Sequence, residues 1–519
     1  MLKLYALYFS LALCFLSSFL RAQAPSIEWE KSFGGTTNDD ARNILPTADG
    51  GHVIIGNTVS VNGNVLFNHG NQDVWLVKID ASGTIQWQKS YGGTGPEYVY
   101  DMKQTSDGGY IFTGMSSSVN GDLTTNNGYY DCWIVKIDAA GTLQWQKSFG
   151  GTAQDQGNSV AQTLDGGYII AGETSSTNGD FTDNHGASDS FVIRLDDSGN
   201  LVWKKCIGGT ASENAKGVVQ AADGNFIIAS TSNSLGGQVW GHTGATCSMD
   251  YWIVKLDLGG NFIWNKCFGG LSITGSSEVR AMIKTNDGGY LISGITNANH
   301  GYQGDFFGLW NYWVVKLNAA GTMEWQKMYG GNQNDMPYKA IQTSDGNYVV
   351  AGYSYSSNGH TSNNYGGMDY WIFKIDPTGN LLWQKSYGGS DLEEAHDIVQ
   401  TIDGGYIVVG QSYSSNIDIT THIGGYDYWV VKLGADFLAT KNFNTADLQV
   451  YPNPTTGLLH INCGQPVENV IVYDLNGRLV LESNQKDISK ISLEPLEQGT
   501  YFVRINTNTD SFTKKIVKE

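Results

Sequence analysis

The sequence predicts an all-β protein: a seven-bladed β-propeller of four strands per blade, followed by a separate small C-terminal domain. Three observations carry this. A segment recurs seven times between Trp29 and Lys432, marked by tryptophans at 29, 87, 145, 203, 264, 325 and 383, a step of 58 residues with two steps of 61. Each copy holds four short β-type runs divided by turn sequences. The pattern also opens with one strand alone and stops one strand short. A fixed period of this kind marks a solenoid, propeller or array. Four-stranded units fit the propeller, in which closure protects the strand edges.

The copy at residues 145–203 shows the elements in order. Trp145-Gln-Lys-Ser-Phe-Gly-Gly leads to Thr163-Leu-Asp-Gly-Gly-Tyr-Ile-Ile-Ala-Gly172, then a long polar loop, then Asp189-Ser-Phe-Val-Ile-Arg-Leu-Asp196. The Asp-Gly pair, at Asp49, Asp107, Asp165, Asp223, Asp287, Asp345 and Asp403, predicts a two-residue hairpin between the first two runs. Asp80-Ala-Ser-Gly83 joins the third and fourth with the residues of a type I turn. Runs such as Tyr168-Ile-Ile-Ala are apolar on successive residues, as strands covered on both faces are. The last copy ends at Trp429-Val-Val-Lys-Leu433, so Ile27-Glu-Trp-Glu-Lys-Ser is expected to supply the missing strand of the seventh blade by pairing with 428–433.

The third and fourth runs resemble the tryptophan-docking motif of pyrroloquinoline-quinone-type propellers, with Asp80, Gly83 and Trp87 in a turn one residue shorter. The resemblance concerns packing and implies that the Trp87-type strand is outermost; it does not imply the quinone. With that order, the Gly-Gly loops and the long Ser/Thr/Asn/Gly/Asp loops share one face. Binding residues concentrate on long loops held by rigid scaffolds, so that face is the expected working face.

Domain limits follow from composition. Residues 1–24 read as a signal peptide, with Lys3, an apolar run from Leu4 to Leu20 and a small-residue cleavage region at Ala22-Gln-Ala24. Residues 25–435 form the propeller, 436–446 a linker and 447–519 the final domain; no transmembrane segment is expected in the mature chain. The net charge of −19 sits in the repeats, a field that argues against nucleic acid and anionic lipid as partners. Of six cysteines, Cys206 and Cys267 share one repeat position and are expected to be free thiols.

The tail reads alone as a domain of alternating strands and Gly/Asn/Pro turns. Its Val450-Tyr-Pro-Asn-Pro-Thr-Thr-Gly457, Val472-Tyr-Asp-Leu-Asn-Gly-Arg478, Gln498-Gly-Thr-Tyr-Phe-Val503 and Lys514-Lys-Ile-Val517 resemble the type A C-terminal sorting domain of the type IX secretion system, a small β-sandwich. The resemblance spans Leu448–Glu519. It implies delivery across the outer membrane of a Gram-negative bacterium by that machinery, tail removal by a sortase, and release or attachment at the surface. The repeats resemble those of uncharacterised surface proteins with this tail.

Three residue sets are candidates for function. Asp39, Glu97, Asp155, Glu213, Asp335 and Glu393 open the innermost strands, with Ser277 beside Glu278 in the fifth copy. A ring of such carboxylates would suit Ca²⁺; equally, each would cap its own Gly-Gly loop through backbone N–H groups. Asp73, Asp131, Asp189, Asp250, Asp369 and Asp427, with Asn311 in the fifth copy, precede the third strands and suggest either loop-bound Ca²⁺ or turn caps. Thirteen of fifteen tryptophans follow the repeat. Trp240 and Trp310 do not, and with Tyr302, Phe306 and Phe307 they lie in the enlarged fourth and fifth copies, where a sugar ring or protein could stack. No nucleophile elbow, metalloprotease helix, phosphate loop or Cys–His signature occurs. The expected role is therefore non-catalytic surface binding of a glycan or protein, the alternatives being a hydrolase with a carboxylate pair at the channel mouth and a calcium-stabilised adhesin.

Overall fold

The computed structural model describes residues 23–241, 248–269, 275–298, 308–436, 448–463, 466–474, 478–483, 488–507 and 511–519. It divides into two compact units, one of them Ala24–Asp436 and the other containing Phe437–Glu519. The expected leader, apart from Gln23 and Ala24, and most of the expected linker lie outside the described residues.

The larger unit consists of seven four-stranded antiparallel sheets. In the first blade the strands run from inside outward as Asp39–Pro46, His52–Thr58, Asp73–Ile79 and Ile85–Tyr91. The second and third strands of this blade are buried at every residue, which is why their sequences are apolar without alternation. Outermost strands are only half covered, and polar residues occupy their solvent side. Six tryptophans on third strands, Trp75, Trp133, Trp252, Trp313, Trp371 and Trp429, are wholly buried.

Ile27–Phe33 pairs antiparallel with Asp427–Leu433, from Ile27 against Leu433 to Phe33 against Tyr428, and is the fourth strand of the seventh sheet. The innermost strand of the first blade packs against the first two strands of the seventh. The docking contacts continue across this seam. In six blades the turn glycine lies on the tryptophan of the preceding outer strand, from Gly83 on Trp29 to Gly379 on Trp325. In the seventh, Asp436 takes that place and accepts a 2.7 Å hydrogen bond from Trp383 Nε1.

The Asp-Gly hairpins differ from expectation. Gly108 has φ +82° and its N–H donates to Thr105 O, whereas Asp107 is not in the left-handed region. The connection is thus a type I turn followed by a left-handed glycine, one residue longer than a two-residue loop. Side-chain bonding explains the choice. Asp107 accepts from the Thr105 hydroxyl and from Gly109 N–H, and its other oxygen meets Lys136 Nζ at 2.7 Å. An equivalent Lys–Asp or Arg–Asp bridge joins the third strand to the hairpin in all seven blades.

The C-terminal unit has a three-stranded and a four-stranded sheet around Leu459, Val470, Val472, Leu493, Val503 and Ile505, all fully buried. Its motifs meet in space. Asn453 accepts from Val517 N–H and donates to Lys515 O, and Thr455 N–H donates to Val517 O, so the Tyr-Pro-Asn-Pro segment is laced to the closing Lys-Lys-Ile-Val strand.

Candidate functional site

The six carboxylates at the starts of the inner strands each serve their own blade. Each is buried beneath its own Gly-Gly loop. Asp39 accepts from Gly35 N–H at 2.7 Å, Glu97 from Gly93 at 2.8 Å, Asp155 from Gly151 at 2.8 Å, Glu213 from Gly209 at 2.6 Å, Asp335 from Gly331 at 2.7 Å and Glu393 from Gly389 at 2.7 Å. The second oxygen takes a hydroxyl from Thr58, Ser116, Thr174, Ser232, Ser354 or Ser412. The oxygens that Ca²⁺ would need are engaged by the chain itself. Among the described residues no group of three or more His, Cys, Asp or Glu side chains could hold a metal.

The second set caps the preceding loop through one oxygen only. Asp73 accepts from His69 N–H at 2.7 Å and Asp369 from Tyr365 N–H at 2.6 Å. These aspartates face the cap acid of the next blade across the first glycine of the pair. A Cβ on Gly92 would lie 2.4 Å from Glu97 Oε2 and 2.7 Å from Asp73 Oδ1, so only glycine fits. Burial, with the facing charge added, drives these carboxyls upward: Asp39 to about 6 beside Asp427, Asp131 to about 6 beside Asp155, and Asp369 to about 7 beside Glu393. The hairpin aspartates move the other way. Burial opposes the shift, but the Lys136 and Lys316 bridges and the turn hydroxyls hold Asp107 and Asp287 at about 2.

These opposite shifts predict a bell-shaped stability profile. The raised groups contribute stability that is complete below about pH 4 and lost as pH rises through 6–7. The depressed groups contribute stability present above about pH 4 and lost as pH falls through 2. Calorimetric melting should therefore peak near pH 4 and fall by on the order of 5 °C by pH 8, most of it between about pH 4 and 7. A melting temperature still rising from pH 6 to 8 would show that the buried pairs do not titrate.

What distinguishes one blade from another lies on the inner strands. Each carries a β-bulge, seen as a register shift around one residue: Arg42, Tyr100, Asn158, Lys216, Arg280, Tyr338 or His396. Bulges re-aim side chains, and all seven of these line the narrow axial cavity of about 130 Å³. Two residues earlier stand Asp40, Tyr98, Gln156, Asn214, Glu278, Met336 and Glu394. Ion pairs or hydrogen bonds join the two levels, with Arg42 to Asp40, Arg280 to Glu278 at 3.3 Å and His396 to Glu394 at 3.3 Å. Below them Lys339 meets Asp397 at 3.2 Å, and Asp101 accepts from Val160 N–H.

Above the bulge ring a second cavity of about 310 Å³ opens toward the long-loop face between the third and fifth blades. Glu173, Asn214, Lys216, Glu278 and Arg280 line it, with Ser188, Ser212 and Met249 at its lip. Tyrosines surround the rest of the mouth. Tyr98 and Tyr130 have ring centres 6.0 Å apart, Tyr129 and Tyr130 4.5 Å, and Tyr413 and Tyr426 5.4 Å.

The two irregular tryptophans are held by different layers. Trp240 is 64% exposed, with its N–H on Asn265 of the outermost strand of the fourth blade. Trp310 is half-buried at the mouth, where its carbonyl accepts from Asp335 N–H of an inner strand at 2.8 Å. Tyr302, Phe306 and Phe307 lie outside the described residues. Sequence reasoning missed the bulge ring and, Glu278 apart, its upper neighbours; the available signal was their variation between copies whose flanking residues stay constant.

Residues 449–519 match the family described as the secretion system C-terminal sorting domain. The chain therefore carries a type IX sorting tail behind a β-propeller and is a secreted or outer-surface protein. Over an alignment of 136 residues the chain is 27% identical to the regulatory protein FlaEY of Caulobacter vibrioides, covering 24% of this chain and 14% of that protein. Among solved structures, one of unknown function from Dyadobacter fermentans is 10% identical with a TM-score of 0.43, covering 79% of this chain and 99% of that one. The β-propeller domain of the Trilobed protease from Pyrococcus furiosus is 8% identical with a TM-score of 0.40, covering 81% and 98%. The propeller assignment rests on the sheet order above.

Proposed function

We propose that this secreted or surface protein is a non-catalytic binding protein that engages a glycan, or a protein partner, through its long-loop face. What supports this reading is one observation: residues that depart from the sevenfold pattern gather at the channel mouth, where Tyr130, Tyr426 and Trp310 hold, in their own blades, the position that Ser188 and Met249 hold at the lip of a charged cavity. Aromatic faces beside fixed polar groups suit sugar rings, which stack on one side and hydrogen-bond at the edge. Trp240, exposed over the fourth blade, is a separate contact on the same face, and Tyr302, Phe306 and Phe307 belong to the sequence that leads into Trp310. Ca²⁺ is not required by this reading. The apolar segment from Leu4 to Leu20 directs export to the periplasm, and the tail interacts with the type IX machinery.

The alternative is a carbohydrate-active hydrolase, favoured by one feature: Glu173 and Glu278 line the same cavity. A glycan array run beside a polysaccharide hydrolysis screen separates the two. Binding without reducing-sugar release, weakened about tenfold by Trp310→Ala and less by Trp240→Ala, is the expected result. Sugar release abolished by Glu278→Gln would establish the hydrolase, and binding indifferent to both tryptophans would remove the proposed face.

A further inference from the structure

The bulge ring contains four basic side chains, and in three of them the residue two positions earlier is an acid that pairs with it: Asp40 for Arg42, Glu278 for Arg280 and Glu394 for His396. In the fourth blade that residue is Asn214. Its amide is engaged elsewhere, donating to Glu173 and accepting from Asn158 Nδ2 at 3.1 Å. Lys216 consequently has no ion-pair or hydrogen-bond partner among the described residues. It is also the cation that the axial cavity and the 310 Å³ cavity share with Arg280. Glu173 and Glu278 act on it only from beyond ion-pair distance, so a ligand carboxylate can make the direct pair that the other three basic residues already have.

The geometry points to a carboxylate-bearing sugar, a uronic acid unit of a glycan, seated in the cavity between the third and fifth blades with its carboxylate on Lys216. This rests on the reading of the mouth as a glycan-binding face and names the class of glycan. The other lining groups match the rest of such a unit. Glu173 and Glu278 are acceptors that sugar hydroxyls satisfy, and Arg280, already shared with Glu278, adds donors. A phosphate dianion would bring two negative charges against Glu173 and Glu278 with only Lys216 uncommitted, whereas a carboxylate brings one. The cavity volume is at the lower end of small-ligand sites, about 300–1,000 Å³, and accommodates a terminal unit with the rest of the glycan over the tyrosine rim. Burial moves the Lys216 ammonium down to about 8; Glu173 and Glu278 act against that fall and Arg280 with it. A cation so placed gains from an added carboxylate.

The test is titration calorimetry on the full chain with a uronic acid trisaccharide and with the same trisaccharide reduced at its carboxyls, with inorganic phosphate and glycine as further probes. The acidic trisaccharide should bind about tenfold or more tightly than the reduced one. Lys216→Met, and independently Asn214→Asp, which installs the acid found in the other three blades, should bring that ratio to about one, while Lys216→Arg keeps it. Unchanged melting temperatures check that the variants are folded. Equal affinity for both trisaccharides, or a preference that survives both Lys216→Met and Asn214→Asp, overturns the inference while leaving the glycan face intact. Binding of neither trisaccharide removes the glycan reading as well. Phosphate or glycine bound with Lys216 dependence in place of the sugar overturns the ligand class.

Discussion

Deleting residues 25–33 should abolish cooperative folding of the propeller. This short segment completes the seventh sheet, with Trp29, Glu30, Lys31, Ser32 and Phe33 in register with the strand that ends at Leu433. It also reaches the neighbouring blades. Tyr387 O–H of the sixth blade donates to Pro25 O at 2.7 Å and Trp29 lies on Gly83 of the first, while within the seventh sheet Glu30 accepts from the indole of Trp429 at 3.1 Å. A ladder of about six hydrogen bonds at roughly 1 kcal/mol each, with about 3–5 kcal/mol for removing a large aromatic, approaches the 5–15 kcal/mol that holds an ordinary domain together. The deletion would also expose Tyr428, Trp429 and Val430 along an unpaired edge, which favours association between chains. Urea unfolding and light scattering read both effects. A permutant carrying residues 25–33 after Leu433, through a turn copied from Asp80–Gly83, should recover the parental midpoint, because connectivity rather than the segment's own sequence is what has changed. A deletion that unfolds at the parental urea concentration would show that the seventh sheet is stable with three strands.

The strands were legible because one pattern repeats seven times, so that each weak local signal is read seven times. Turn detail was not. The Asp107-Gly108 pair favours a two-residue hairpin by local preference, and the extra residue follows from Lys136, which lies on a different strand. The carboxylates illustrate a second limit. Recurrence at Asp39, Glu97 and their counterparts is visible in the sequence, yet only the burial of both oxygens against Gly35 and Thr58 distinguishes a loop cap from a metal ligand. Lys216 is the converse case. Its position is readable as a site of variation, but a strict two-residue alternation does not place it on the channel. The bulge between Ala215 and Gly217 does that, and no residue type announces it. The aromatic pair chosen from sequence, Trp240 and Trp310, shares a face but is positioned by outer and inner strands respectively, a radial separation that repeat spacing does not encode.

Truncation after Asp436 should leave the propeller with its melting temperature unchanged and prevent its arrival at the cell surface. The first half follows from the separation of cores. Asp436 is, among the described residues, the last of the propeller and bonds Lys374, Trp383 and Tyr406, whereas the hydrophobic cluster of Leu459, Val470, Val503 and Ile516 is built wholly from the C-terminal unit. The second half follows from the matched sorting domain, which the truncation removes whole. The truncated protein should accumulate in the periplasm, as fractionation with antibody against the propeller would reveal, and should melt as the parent does. A subtler variant separates recognition from folding. Asn453→Ala removes the two hydrogen bonds that lace the Tyr-Pro-Asn-Pro segment to Lys515 and Val517, at about 1–3 kcal/mol, without touching the buried cluster. If the machinery reads the assembled surface formed by that segment and the last strand, Asn453→Ala should lower surface delivery in a tail that remains folded. Surface delivery equal to the parent in the truncated chain would show that the propeller carries its own route out. Normal delivery of Asn453→Ala beside failure of the truncation would instead place recognition elsewhere on the sandwich, away from the junction of these two motifs.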